Sequence, residues 1–254
     1  MYNNIFDTHS HYDDEAFEGD LDLLLSSLPE KGIEKVVSCG VDINSSKANR
    51  KLAHKYDYFF FAAGFHPENL EGASLDDLNI IRELAKDEKC LAIGEIGLDY
   101  HWMSSTKDVQ KKFFASQLEL ANELDMPVIV HDREAHGDSM ELLREYKPKG
   151  VMHCFSGSSE MAKEIVSLGM FIGLNGVVTF KNARKSLEVV KEISLERLVL
   201  ETDCPYLAPE PNRGKRNDSS MIPFIAQRIG EVLGKSGQEI LDVTNENAYN
   251  LFNL

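Results

Sequence analysis

Short apolar stretches alternate with longer stretches of mixed polarity along the whole chain. The apolar stretches are rich in Val, Ile, Phe and Leu and are nearly continuous, which is typical of parallel strands covered on both faces. From this pattern we predict eight strands, at Asn4–Asp7, Lys35–Cys39, Tyr58–Ala63, Cys90–Gly94, Val128–Val130, Val151–Met152, Met170–Leu174 and Arg197–Leu200.

The stretches between the predicted strands carry apolar residues at helical spacing. The pattern is clearest in Asp108–Leu124, where Phe113, Phe114 and Leu118 fall on one face. The segment Cys204–Asp218, rich in proline and charge, is predicted to be a long irregular loop. The other predicted helices are Asp20–Lys31, Ser45–Tyr56, Leu75–Lys86, Asp138–Glu145, Ser159–Leu168, Lys185–Ile193, Ile222–Leu233 and Gly237–Phe252.

The alternation of strands and helices indicates parallel β/α units. Eight units in 254 residues favour an α/β fold, namely a single (β/α)8 TIM-type barrel that occupies residues 1–254 as one domain. An open doubly wound sheet is the alternative. It is disfavoured because no glycine-rich phosphate-binding loop follows the first predicted strand.

Composition narrows the classes of function. The net charge of −15 weighs against tight non-specific binding of nucleic acid, but it allows a substrate with few phosphates because metal ions supply positive charge locally. The four cysteines are far apart, which favours reduced thiols in a cytoplasmic enzyme. We expect neither a membrane span nor a secretion signal, since no sufficiently long apolar run is present.

Histidines and acids stand at or just beyond the ends of five predicted strands. In extended chain, residues two apart point to the same side, so a pair of histidines after the first strand can reach one metal ion. Because all strand ends meet at one face of a barrel, these side chains are expected to converge there. A capping or ion-paired role would explain any one of them, whereas the whole set favours a metal site: His9, His11, Glu95, His131, His153 and Asp203.

The ligand types favour Zn, Mn, Co, Ni or Fe, and suit Mg less well. Six ligands exceed the usual three of a mononuclear catalytic site, so two divalent ions sharing a carboxylate are the economical explanation. Glu95 is the better bridge, since it lies between the two histidine groups in strand order. Asp203 would orient or deprotonate a water as general base. Such a site hydrolyses a phosphoester, an amide or a lactone.

These motifs resemble those of the TatD family of metal-dependent hydrolases and deoxyribonucleases, within the amidohydrolase superfamily. The resemblance implies a barrel in which His9, His11 and Asp203 hold one ion, His131 and His153 hold a second, and Glu95 bridges them. It also implies a metal-dependent DNase, including 3′-to-5′ exonuclease action. The matching segments are FDTHSH at 6–11, GFHP at 64–67, IGEIGLDY at 93–100, VHDR at 130–133, HCFSG at 153–157, LETDCPYLAP at 200–209 and RGKRN at 213–217.

Four residues are candidates for binding substrate. By resemblance, His66 contacts a substrate phosphate, although a structural histidine held by Pro67 is an equal alternative. Arg133, two residues beyond His131, is placed to bind a phosphate oxygen or to pair with an acid. Arg213 and Arg216, with Lys215, form a dense basic cluster after the eighth strand, where barrels commonly bind phosphate; a solvated charge run is the alternative.

Two further segments, 99–102 and 218–220, are expected to lie near the site. Tyr100, His101 and Trp102 offer a surface for base stacking, although aromatic residues in loops more often serve packing. Asp99 is expected to support a ligand or cap a loop. The chain departs from the family pattern at Asp218-Ser219-Ser220, where Glu-Pro usually follows the Arg-Asn pair. The resemblance therefore does not predict the residue at which the next helix begins.

Four functions remain open from the sequence. The leading one is a phosphodiesterase that acts on DNA from an end, without an obligate protein partner. A small-molecule amidohydrolase, lactonase or phosphotriesterase would use nearly the same ligands, and relatives suggest a D-aminoacyl-tRNA deacylase as a third possibility. A non-catalytic metal-binding barrel is the fourth. The basic loop and Arg133 favour DNA, whereas the charge of −15 favours a small phosphoester substrate.

Overall fold

The computed structural model describes residues 2–254 and contains one eight-stranded parallel sheet. The strands follow one another in chain order around the sheet, and each is connected to the next through a helix. This arrangement confirms the predicted (β/α)8 TIM-type barrel. The strands are β1 (Ile5–Ser10), β2 (Ile33–Cys39), β3 (Phe59–Ala63), β4 (Cys90–Asp99), β5 (Val128–Arg133), β6 (Gly150–Met152), β7 (Phe171–Leu174) and β8 (Leu198–Leu200).

Nine α-helices accompany the strands in the described part of the chain. Two predicted helices are shorter than expected, because Asp20–Lys31 breaks before Pro29 and Leu75–Lys86 begins with a 3-10 turn. Proline lacks the amide hydrogen that would continue a helix. The helices are α1 (Leu21–Ser27), α2 (Ile43–Lys55), α3 (Leu78–Leu84), α4 (Lys107–Leu124), α5 (His136–Tyr146), α6 (Ser159–Ser167), α7 (Arg184–Glu192), α8 (Ile222–Leu233) and α9 (Gly237–Phe252). None of the helices within residues 2–254 is long and apolar enough to cross a membrane.

The buried apolar side chains form two layers. The larger layer lies between the strands and the surrounding helices. The smaller layer takes side chains from all eight strands and is therefore the interior of the barrel, where Leu251 and Phe252 of α9 join it. The strand residues of this inner layer are Phe6, Val37, Cys39, Phe60, Ala62, Leu91, Ala92, Ile129, Val151, Phe171 and Val199.

Three strands continue further toward the carboxyl end than the apolar pattern indicates. β1 reaches Ser10, β4 reaches Asp99 and β5 reaches Arg133. Glu95 therefore lies inside β4, and the expectation that it follows the strand is wrong. The polar ends stay in the sheet because Gly97 pairs with His131 and Asp99 with Arg133. Gly97 has a φ of 146°, and a side chain there would collide with the His131 carbonyl.

The barrel closes between β8 and β1 with few main-chain bonds. One isolated bridge joins Ser10 to Cys204 among the described residues. The His11 amide donates to the Cys204 carbonyl at 2.8 Å, and the Asp203 amide donates to the His9 carbonyl at 3.0 Å. We call this contact the seam.

A buried carboxyl group reinforces the seam. Asp7 Oδ1 accepts the Thr202 amide at 2.9 Å, and Oδ2 accepts the hydroxyls of Thr202 and Ser219, each at 2.6 Å. Burial raises the pKa of Asp7 to about 7, although the hydrogen bonds from Ser219 and Thr202 lower it. Ser219 also contacts the Tyr12 hydroxyl at 2.7 Å. The segment that departs from the family pattern thus ties the last loop to β1.

The helix after this segment begins without Glu-Pro. Asp218 accepts the Ser220 amide at 2.8 Å and caps a 3-10 turn, Ser219–Met221. α8 follows at once, with Pro223 in its first turn, where the missing amide hydrogen has no cost.

We expect Asp7→Ala to destabilise the protein by about 3 kcal/mol, because the buried donors of His9, Thr202 and Ser219 lose their acceptor. Ser219→Ala, which removes one of these bonds, should cost about 1 kcal/mol. Denaturant unfolding followed by circular dichroism measures both. An Asp7→Ala protein as stable as the wild type would show that the seam does not depend on this carboxyl group.

Candidate metal centre

The predicted metal-binding residues meet at the carboxyl end of the barrel. A cavity of about 920 Å³ opens there. Its walls come from the ends of the strands and from the loops that follow them, which is the location of active sites in this fold. Five of the six predicted ligands line it, and His9 lies directly beneath, fully buried: His11, Glu95, His131, His153 and Asp203.

The first group of donor atoms straddles the seam. His9 Nε2 and His11 Nε2 lie 3.0 Å apart, since the two residues point to the same side of the chain. Glu95 Oε2 lies 3.3 Å from His9 Nε2 and 3.4 Å from His11 Nε2. Asp203 Oδ1 lies 3.6 and 3.5 Å from the same two nitrogens. The donor atoms of His9, His11 and Asp203 thus lie close enough together to hold one ion, and Glu95 Oε2 lies beside both histidines.

The second group gathers around the other oxygen of Glu95. Oε1 lies 2.8 Å from His153 Nε2 and 2.9 Å from His131 Nδ1. The two histidine nitrogens are 3.4 Å apart. Each oxygen of one carboxylate therefore faces its own set of histidines.

These distances fit metal binding. Ligands held 2.0–2.1 Å from a tetrahedral zinc ion lie roughly 3.3 Å from one another. The separations are 3.0–3.6 Å in the first group and 2.8–3.4 Å in the second, which lie around this value. The donor types, imidazole and carboxylate, suit divalent transition metals.

The remaining ring nitrogens of the four histidines are directed at protein groups. His11 Nδ1 lies 3.2 Å from the Cys39 carbonyl, and His131 Nε2 lies 3.0 Å from Asp99 Oδ2. His153 Nδ1 lies 3.5 Å from Glu201 Oε1, and His9 Nδ1 lies 3.4 Å from Cys39 Sγ. A hydrogen on the outer nitrogen leaves the inner nitrogen with a lone pair, which is the tautomer that binds a metal ion.

In His66 the inner ring nitrogen, rather than the outer one, carries the hydrogen. Its Nδ1 accepts the Glu68 amide at 3.2 Å, so a neutral ring carries its hydrogen on Nε2. Nε2 lies 3.5 Å from Glu95 Oε1. Burial lowers the pKa of His66 to about 3, despite the nearby Glu95 charge. His66 is therefore a neutral hydrogen-bond donor at the wall of the cavity rather than a lone-pair donor.

The carboxylates make the centre favourable for positive charge. Burial lowers the pKa of His11, but its contacts with Asp203 and Glu95 outweigh this effect and raise the pKa to about 10. Burial raises the pKa of Glu95, but the neighbouring histidines, His153 above all, bring it well below its usual range. The carboxylates therefore stabilise positive charge at this point of the cavity.

Asp203 reaches the cavity from a loop position. Its side chain is 16% exposed, compared with 4% for Glu95. Its φ of 56° lies in the left-handed region, which is uncommon for a residue with a side chain. The hydrogen bond from its amide to His9 holds this conformation. Strained backbone of this kind clusters at functional sites.

The four predicted substrate-binding residues divide into two pairs. His66 and Arg133 line the cavity. Arg213 and Arg216 lie outside it, in a neighbouring open cleft of about 810 Å³. Arg216 pairs with Asp20 through two bonds of 2.7 and 2.6 Å, and Arg213 stacks on Phe180.

Two buried acids support the ligands. Burial raises the pKa of Asp99, but hydrogen bonds from His131 and two backbone amides lower it to about 2, so this carboxylate is charged. Glu201 is fully buried, accepts the Cys154 amide at 2.6 Å and lies beside His153. We expected a supporting role for Asp99 but had no prediction for Glu201. The sequence feature that could have identified Glu201 is its position directly after an apolar strand.

A barrel with histidines and carboxylates converging at its strand ends defines the class of metal-dependent hydrolases. Residues 6–253 match the family model described as TatD related DNase, and the chain belongs to this family. The resemblance inferred from the motifs is thereby confirmed, together with the assignment as a hydrolase of ester bonds.

Individual relatives match along their full length. Metal-dependent hydrolase YabD of Bacillus subtilis (strain 168) is 41% identical over 253 residues, which cover 98% of this chain and 99% of YabD. The 3′-5′ ssDNA/RNA exonuclease TatD of Pantoea ananatis is 34% identical, with 98% and 100% covered. The crystal structure of YJJV, a TatD homologue from Escherichia coli K12, superimposes with a TM-score of 0.90 at 31% identity and covers 100% of both chains.

Proposed function

We propose that this enzyme is a two-metal phosphodiesterase that removes nucleotides from the 3′ end of single-stranded DNA. The observation that carries the proposal is the position of Glu95, whose two oxygens face separate groups of histidines. The exonuclease name of the Pantoea relative supports the choice of substrate. The proposed ligands are His9, His11 and Asp203 for one ion and His131 and His153 for the other, with Glu95 shared.

The chain's own residues have distinct roles in this proposal. Bound divalent ions would supply Lewis acidity that lowers the pKa of water and polarises a phosphoryl oxygen. Asp203 accepts the proton of the attacking water. Burial raises the pKa of Asp203, but the hydrogen bond with His11 and the surrounding histidines lower it, so the carboxylate is ionised and ready to act as base.

Two residues would position the scissile phosphate. His66 donates from Nε2, the nitrogen that its bond with Glu68 leaves protonated. Arg133 lies in the same cavity and offers a planar guanidinium suited to phosphate oxygens. The proposal assigns Arg213 and Arg216 no contact with the scissile phosphate, because they line the neighbouring cleft.

A small phosphoester is the second candidate substrate. The cavity wall contains one basic residue of the Lys or Arg type, Arg133, but six acidic residues. Such a wall accommodates a substrate with one or two phosphates more readily than a long polyanion. The acidic residues are Asp13, Asp14, Glu68, Glu95, Asp132 and Asp203.

We place the reaction in the cytoplasm. All four cysteines are free, and Cys39, Cys90 and Cys204 are buried, which agrees with a reducing compartment.

The test is hydrolysis of a 5′-labelled single-stranded oligonucleotide by EDTA-treated protein after addition of Mg, Mn, Co, Ni or Zn. We expect a ladder of products shortened one nucleotide at a time from the 3′ end, restored by metal and abolished by EDTA. Metal-loaded protein that leaves the oligonucleotide intact but cleaves a small phosphodiester would favour the second candidate.

A further inference from the structure

Trp102 is exposed at the rim of the metal cavity, in the loop between β4 and α4. Its side chain is 57% exposed, and it lines the cavity together with Arg133 and His131. A tryptophan this exposed loses the free energy of burial that normally keeps indole groups inside proteins. Packing within the protein therefore does not account for the exposed position of Trp102.

The two adjacent aromatic residues form contacts with charged side chains. The Tyr100 hydroxyl donates to Asp138 at 2.6 Å, and Lys107 lies over its ring at 4.0 Å. His101 pairs with Glu134 at 2.8 Å. The His101 ring also contacts the Trp102 ring in a T-shaped arrangement, with centroids 4.6 Å apart. Of the three aromatic residues in this segment, Trp102 is the one that lines the metal cavity.

The metal centre and the Trp102 loop share one anchor. Asp99 Oδ1 accepts the backbone amides of His101 and Trp102 at 2.8 and 2.7 Å. The other oxygen of the same carboxylate lies 3.0 Å from His131 Nε2. The position of the indole is therefore linked to that of a proposed metal ligand through a single buried side chain.

Arg133 completes the arrangement. Its guanidinium lies over the Trp102 ring, 5.7 Å from the ring centre. An aromatic ring with a cation over it matches the two parts of a nucleotide, since a base can stack on the indole and a phosphate can pair with the guanidinium.

We propose that Trp102 is the stacking platform for a base at the 3′ end of the single-stranded substrate. This inference rests on the proposed exonuclease function and identifies what holds the substrate in place. With six acids and one Arg in the cavity wall, further phosphates gain little from the protein. The enzyme therefore recognises the terminal nucleotides by their bases rather than the strand by its charge.

Kinetics with base-bearing and base-free ends test the proposal. The substrates are two 5′-labelled oligonucleotides of equal length, one with normal 3′ nucleotides and one with abasic sugars at its last two positions. We expect Trp102→Ala to raise KM for the normal substrate at least fivefold, with Trp102→Phe restoring most of the loss. The abasic substrate should be bound as poorly by the wild type as by Trp102→Ala. Leu23→Ala, which truncates an apolar side chain that is 77% exposed in α1, is the matched control.

Fluorescence supplies a second measurement, because Trp102 is the only tryptophan in the protein. Emission from metal-loaded Asp203→Asn protein should be quenched by the normal oligonucleotide and not by the abasic one. Between 50 and 200 mM salt, affinity should fall less than about tenfold, as expected when one or two phosphates are neutralised.

The outcomes separate the two proposals. Normal hydrolysis by the wild type, with unchanged KM in Trp102→Ala and equal cleavage of the abasic substrate, overturns the stacking platform alone. No hydrolysis of either oligonucleotide with any metal overturns the exonuclease function, and the platform with it.

Discussion

Asp203→Asn is expected to lower kcat by a factor of about 10² to 10⁴ while most of the metal stays bound. The amide keeps an oxygen at the position that faces His9 and His11 but cannot accept a proton as a carboxylate does. Metal content, measured by mass spectrometry on dialysed protein, and kcat on the oligonucleotide give the two quantities separately.

The matched control is Asp76→Asn, the same change at an exposed position of the 3-10 turn before α3. It should leave kcat and metal content unchanged. Full activity in Asp203→Asn would refute the role of Asp203 as base. Loss of activity in parallel with loss of metal would show instead that Asp203 acts only as a ligand.

Glu95→Gln is expected to reduce bound metal from two ions to one or none and to lower kcat on the order of 10³-fold, which corresponds to about 4 kcal/mol. The substitution removes the charge that both groups share and places an amide nitrogen, which is not a metal ligand, against one of them. Metal stoichiometry after dialysis measures the first effect, and oligonucleotide hydrolysis measures the second.

Glu68→Gln serves as the control for this change, because Glu68 lines the same cavity without facing either histidine group. It should retain both ions. Two ions bound to Glu95→Gln protein with unchanged affinity would exclude Glu95 as the bridging ligand.

Strand and helix locations followed from the sequence because the pattern repeats eight times in similar form. α8 and α9 begin and end where the apolar spacing predicts. Polar extensions of strands were missed, since β4 continues through Glu95 to Asp99 by main-chain pairing with β5. Periodicity shows which side chains are buried in apolar surroundings, and a buried cluster of histidines and acids does not contribute to that pattern.

Position after apolar strands was enough to predict which residues lie together at the carboxyl end of the barrel, but not the chemical environment of each one. Sequence position cannot show that His66 accepts a backbone amide on Nδ1, whereas His131 directs Nε2 at Asp99. The same limit applies to the basic cluster. Arg216 is bound to Asp20, a residue far away in the chain, and proximity of this kind depends on tertiary structure.

The seam has a consequence for how the enzyme is made. Of the barrel strands, β1 is translated before the others; it contains His9 and is followed directly by His11, whereas Asp203 follows β8 and is translated roughly 10–40 s later. Until β8 has emerged and docked on β1, the first group of proposed ligands lacks its carboxylate from the far side of the seam. A chain that lacks β8 and the residues after it therefore cannot assemble the first group of proposed ligands, and the proposed hydrolysis requires that β8 has docked on β1.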